Sequence, residues 1–260
     1  MTWAFKRQIS YLAILVAFFS VFGFLIIQPY LNQASTCSDH EQNGDEAGVD
    51  CGGACLLVCL SQVEDVSVLW ARSFRVVPGR YNAVAYLVNH NKNAIVQKIN
   101  YRFRFADANN LYIGKREGSS FIPPSGNFAI FEPGIDVGYS IPVYTSFEFT
   151  QVPQWIQVPQ EKLDQLKISV SNIILAEEKT NPVLSATVKN NSFFIIPEMD
   201  IVAILYDAGG NALSASRTFV ENLRAEEGRE VNFTWPEPLS GQVVAQEIIP
   251  SFNIFSVKLK

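Results

Sequence analysis

All four cysteines of the chain fall within CSDHEQNGDEAGVDCGGACLLVC, residues 37–59, and the same stretch carries a dense set of carboxylates. Thiols at Cys37, Cys51, Cys55 and Cys59 can pair as two disulfides or hold zinc, and the redox compartment decides between them. In oxidising surroundings an even count in a short segment gives a disulfide framework, with three connectivities open. Closing a loop of about 15 residues is worth roughly 3 kcal/mol, enough to hold a segment too small and polar to fold by burial. A zinc site needs reduced thiols and usually two tight, well-separated pairs.

The carboxylates admit a second chemistry. Set against the twelve-position calcium loop, Asp39 falls at position 1, Glu41 at 3, Asn43 at 5, Gly44 at 6, Asp45 at 7 and Asp50 at 12. Hard cations need six to eight oxygens, and a glycine at the sixth position permits the sharp turn that converges them. Glu41 stands where Asp or Asn is usual, and Asp50 is shorter than the customary bidentate Glu. Calcium at Asp39, Glu41, Asn43, Asp45 and Asp50 is thus the one cofactor the spacing admits; a solvated acidic loop held by disulfides is the alternative. The stretch also resembles a short module of exported proteins, C-x-D-G-x-x-N-G-x-E-x-x-V-D-C-G-G-x-C-x-x-C. Cys37, Asp39, Asn43, Gly44, Glu46, Val49, Asp50, Cys51, Gly52, Gly53 and Cys55 match it, His40 replaces a glycine, and Cys59 comes one residue late.

Little else in the chain could catalyse. His90 is the only histidine outside the cysteine stretch, and no G-x-S-x-G elbow, H-E-x-x-H, phosphate-cradling loop or dinucleotide fingerprint occurs. The pairs Glu177-Glu178 and Glu226-Glu227 fall in loops, where charge serves solvation. Trp155, between Pro153 and Pro159, is the candidate binding residue, either buried against the second domain or exposed as a contact. Asn190 and Asn232 head N-x-S/T triplets. No basic patch gathers anywhere, which excludes a nucleic-acid footprint.

The elements that must position these residues begin with ISYLAILVAFFSVFGFLII, residues 9–27, which has no charge and is long enough to span a bilayer as a helix. Lys6 and Arg7 precede it, and no further Lys or Arg appears until Arg72. The positive-inside rule places residues 1–8 in the cytoplasm, the helix at 9–31, and the body outside the cell membrane. Trp3 and Tyr30 suit the two interfaces. A cleaved signal peptide is the alternative, although LNQAST before Cys37 offers no clean cleavage site. Both place the cysteines of the 32–62 module in an oxidising compartment.

From Val63 onward short alternating runs appear, such as YNAVAYLVN, KINYRFRF, VLSATVKN and MDIVAILYD, separated by Pro, Gly, Asn and Asp. Alternation of period two predicts antiparallel strands with one buried face. The two halves repeat at an offset of 100, which sets Asp107 on Asp207 and Asn91 on Asn191. The predicted fold is mainly β: one transmembrane helix, a stapled loop, and two tandem immunoglobulin-like sandwiches over 63–160 and 161–260. Leu205-Tyr206-Asp207 is similar to the bacterial F-x-L-Y-D sandwich domain, with Ala203 in place of its Phe, and Phe103 to Asp107 is the counterpart in the first half. That first half also resembles the water-stress, late-embryogenesis-abundant type of sandwich through Asn89 and Asn91, where His90 replaces a proline. These resemblances imply the fold and location of a bacterial surface protein rather than an activity; with no catalytic motif in view, the expectation is a protein that is no enzyme, whose partners are the membrane and a protein or envelope component. A structural subunit of a larger membrane complex and an exported hydrolase are the alternatives.

Overall fold

The computed structural model describes residues 3–31 and 34–257. It is mainly β, 49% strand against 15% helix, and most of the helix lies in one N-terminal rod. The rod, α1 (Trp3–Leu31), is long and apolar enough to cross a membrane, a test that a signal sequence also passes. Its described side chains are almost all exposed, as expected of a helix whose apolar surface finds no protein partner. At its start the Arg7 guanidinium lies 5.2 Å from the Trp3 ring centre and donates to Tyr11 Oη at 3.1 Å. The side chain of Tyr30 lies outside the described residues. The chain divides after Cys59 into two compact units.

Among the described residues the second unit holds thirteen strands, one short α-helix and two single 3-10 turns, Leu60–Gln62 and Ile254–Ser256. The first seven strands are β1 (Ser67–Val77), β2 (Arg80–Asn89), β3 (Ala94–Ala106), β4 (Tyr112–Ile122), β5 (Gly126–Asp136), β6 (Tyr144–Phe149) and β7 (Trp155–Gln157). They form two antiparallel sheets, β1-β2-β5 and β4-β3-β6, with β7 pairing the start of β3. After α2 (Gln160–Gln165) come β8 (Ile168–Ala176), β9 (Val183–Asn190), β10 (Ile196–Tyr206), β11 (Ala212–Leu223), β12 (Gly228–Thr234) and β13 (Ala245–Ser251). Their sheets run β8-β9-β12 and β11-β10-β13. Both halves therefore share one topology: first, second and fifth strands in one sheet, fourth, third and sixth in the other.

Local side-chain chemistry repeats along with the topology. Asp107 closes the β3–β4 turn by accepting from the backbone N–H of Asn109 and Leu111 at 2.9 and 2.8 Å. Asp207 does the same with Gly209 and Asn211, at 2.8 Å each. At the other end, buried Asn89 donates to the carbonyls of Ala94 and Pro123, and buried Asn190 donates to those of Phe194, Leu223 and Arg224. Asn190 thus corresponds to Asn89, and the accepting contacts set Asn91 beside Ser192. Here the offset is 101 rather than 100. The extra residue lies in the first-half turn: Asn89 reaches five residues ahead, Asn190 only four.

The strands also depart from simple alternation. In β10, Met199, Ile201, Ala203 and Leu205 enter the core of the second sandwich with Leu184, Val188 and Phe233. Val202 and Ile204, on its other face, pack with Phe74, Val84, Tyr86 and Phe131 of the first sandwich. Sheet β1-β2-β5 is therefore stacked on sheet β11-β10-β13, and the central strands β2 and β10 are buried on both sides. Double burial is why AVAYLV and IVAILY read as nearly continuous apolar runs. The expected single buried face holds for the outer sheets: Arg102 on β3 faces outward, paired with Glu117 at 2.6 Å and Glu148 at 3.2 Å.

Candidate functional site

The cysteine module belongs to the first unit. Its disulfides join Cys37 to Cys55 and Cys51 to Cys59, which selects one of the three connectivities. No free thiol is left among the described residues, so thiolate ligation of zinc has no donors. The turns between the bridges depend on left-handed backbone at Gly44, Gly52, Gly53, His40 and Asp50. Gly53 has a second constraint: a Cβ there would lie 1.7 Å from the Asp45 carbonyl oxygen.

Most of the acidic groups in this module serve its own backbone. Asp39 accepts from Thr36 Oγ1, from Asn43 Nδ2 at 2.8 Å and from the Glu41 N–H at 2.9 Å. These bonds, led by the Thr36 hydroxyl, hold its carboxyl below the ordinary 3.8. Asp50 receives the N–H groups of Asp39 and His40 at 3.0 Å each, together with His40 Nδ1 at 3.1 Å. Asn43 Oδ1 accepts from the Thr36 N–H at 2.8 Å. Glu41 and Asp45 are exposed. No three of the carboxylates of Asp39, Glu41, Asp45 and Asp50 bring oxygens within 4.8 Å of one another. The carboxylate at the centre is instead Glu46, 6% exposed, which accepts from the Asp50 N–H at 3.2 Å and lies 3.4 Å from Cys55 Sγ. Its place in the motif was visible in the sequence. Its burial was not, because a Glu inside an acidic run reads as solvated.

Outside the module, Trp155 is 2% exposed on β7, opposite Val96 of β3. It is a component of the first sandwich, which removes it as an exposed contact residue. His90 is exposed, and its Nε2 lies 3.0 Å from Ser67 Oγ. Sequence reasoning did not find this Ser–His pair, since strand pairing rather than spacing sets Ser67 near β2. Among the described residues no carboxylate bonds the other ring nitrogen, so the orienting third member of a nucleophilic triad is missing. His90 also lines a crevice of about 760 Å³ with Lys92, Leu163, Asp164 and Phe252. Asn190 is fully buried, with no room for a glycan in the folded chain, whereas Asn232 is exposed.

The most developed polar constellation joins the two sandwiches. Glu247 of β13 accepts from Tyr86 Oη of β2 at 2.7 Å and from Tyr206 Oη of β10 at 2.8 Å, and Asn127 Nδ2 donates to Tyr86 Oη at 2.6 Å. Burial first, and the adjacent Glu247 next, push both phenols above their ordinary range, so they remain neutral donors. Trp70 stacks on Tyr86 with ring centres 5.4 Å apart, Arg217 lies over Phe131, and Arg75 pairs with Glu237 at 2.7 Å. This arrangement can hold two domains in one orientation.

No family model matches the chain, and no curated protein matches it. Among solved structures it is similar to red sea bream transglutaminase at 9% identity and a TM-score of 0.23, over 74% of this chain and 30% of that one. The chain thus spans under a third of that enzyme's length, and a likeness this slight says nothing about its chemistry.

Proposed function

We propose that the chain is a membrane-anchored extracytoplasmic protein, of the bacterial surface type its motifs resemble, that presents two immunoglobulin-like sandwiches as one rigid head for contacts with protein or envelope partners. Catalysis is not part of this function. The observation that carries it is the pairing of all four cysteines into disulfides a short distance after a helix of membrane-spanning length. The cysteine module acts as a covalent staple for a polar segment. Calcium is not required in this role, because Asp39 and Asp50 are already engaged with backbone and side-chain donors. The stacked sandwiches support a binding or scaffolding role, since a fixed head holds contact loops in place without an ordering cost on association.

The test is non-reducing peptide mapping of the protein isolated from its own membrane with free thiols blocked at lysis. Cross-linked peptides should join Cys37 to Cys55 and Cys51 to Cys59. Blocked, unpaired cysteines throughout would place the body in a reducing compartment and reject the proposal.

A further inference from the structure

One end of the first sandwich carries an apolar tip whose carboxylate, Asp107, is engaged by the N–H groups of its own turn. Three connections meet there: the β1–β2 turn at Gly79, the β3–β4 turn at residues 107–111, and the β5–β6 loop at 137–143. Backbone bonds tie them together, from Val137 N–H to Gly79 O at 3.1 Å and from Val143 N–H to Ala106 O at 2.9 Å. Leu111, Tyr112, Tyr139, Ile141, Val143 and Tyr144 are all exposed, Tyr139 completely. Tyr112 and Tyr144 sit opposite Ala106 on its two sides, so the small residue leaves a shallow floor between two rings. Neither 108–114 nor 137–147 contains a charged residue. The chain enters β1 at the opposite end of this sandwich, where the Glu64 N–H bonds Asn91, so the entering strand does not cover the tip.

Scattered exposed apolar residues are ordinary, but six large ones on adjoining loops and strand ends are not. At these exposures they present roughly 800 Å² of mostly apolar surface, the share that each partner contributes to a standard stable interface. Tyrosine is enriched in such interfaces, where the ring gives area and the hydroxyl stays compatible with water. The charge pattern narrows the occupant. Anionic lipid would call for free basic residues beside the tip, yet Arg80 is paired with Asp136 and Lys115 with Glu117. A strongly charged protein partner would find no complement. An apolar patch whose carboxylate at Asp107 is turned onto its own backbone faces little like-charge repulsion from its own copy and can close in a two-fold dimer.

We propose that this tip is a self-association surface on which a second copy of the chain docks loop to loop. The proposal rests on the head alone and does not depend on which side of the membrane the head occupies. The test uses the full chain in detergent micelles. Sedimentation should show a dimer that the double change Tyr139→Ser with Ile141→Ser weakens at least tenfold, with no change in thermal midpoint. Leu111→Ser, on a different loop, should weaken it independently. A photo-reactive residue at position 139 should form adducts of twice the chain mass, joined to the 137–144 peptide. A monomer at tens of micromolar would overturn the proposal. So would a dimer indifferent to these changes, as α1 pairing would give, or adducts with lipid or another protein.

Discussion

Asn190 shows how much one buried side chain can control. Fully buried at the end of β9, it donates to three backbone carbonyls and accepts from the N–H and hydroxyl of Ser192. Removing it strands several buried polar groups, each costing about 1–3 kcal/mol, so Asn190→Ala should lower unfolding free energy by roughly 3 kcal/mol in denaturant titration. Asn191→Ala removes one exposed contact to Ser169 and should change stability little. The pH profile belongs to this scale too. Asp207, lowered mainly by the Asn211 N–H, Glu117, lowered by Arg102, and Glu227, lowered by the Arg224 N–H, all have folded values beneath their unfolded ones. Their stabilisation is complete above the unfolded values and is lost as pH falls through the folded ones. Asp200 opposes them: burial raises its carboxyl, so it favours the folded state only as the pH falls. Thermal midpoints should therefore be level above about pH 5 and drop below it, with a shallower drop in Asp207→Asn. An identical acid slope in that variant would show that the turn carboxylate contributes nothing.

Among elements, β2 and β10 explain the architecture. Each is buried on both faces because each closes one sandwich core and also forms the junction between sandwiches. Ile204→Asp would place a charge in that junction without disturbing the core behind it. Such a change should cost about 3 kcal/mol or more. It should also split one unfolding transition into two in calorimetry; a single transition with an unchanged midpoint would mean that the sandwiches are not energetically coupled. The sequence made the strands legible through their alternation and turn residues, and Asp107 and Asp207 revealed the duplication. It did not reveal the stacking, since a doubly buried strand and a strong single-faced strand differ by only a few residues in a short run. The surroundings of Trp155 were half legible for a related reason: Pro153 and Pro159 marked an edge strand, but nothing local showed that its partner would be β3. The disulfide pairing was equally hidden, because connectivity depends on how the intervening turns fold.

At the scale of the whole chain, an apolar helix and a stapled module precede a head of two fused sandwiches. The outward faces of the head end the stack. β3 displays Arg102 and Arg104 paired with Glu117 and Glu148, and the opposite surface carries Ser185, Thr187, Glu230 and Asn232 on β9 and β12. Neither is as apolar as the junction between the sandwiches. Everything in the proposed role then depends on the head facing outward. Lysine labelling of intact cells with a membrane-impermeant amine reagent measures this directly. Lys92, Lys98 and Lys189 should be modified from outside while Lys6 stays protected until lysis. Protection of the head lysines in intact cells, with labelling only after the membrane is opened, would contradict the account.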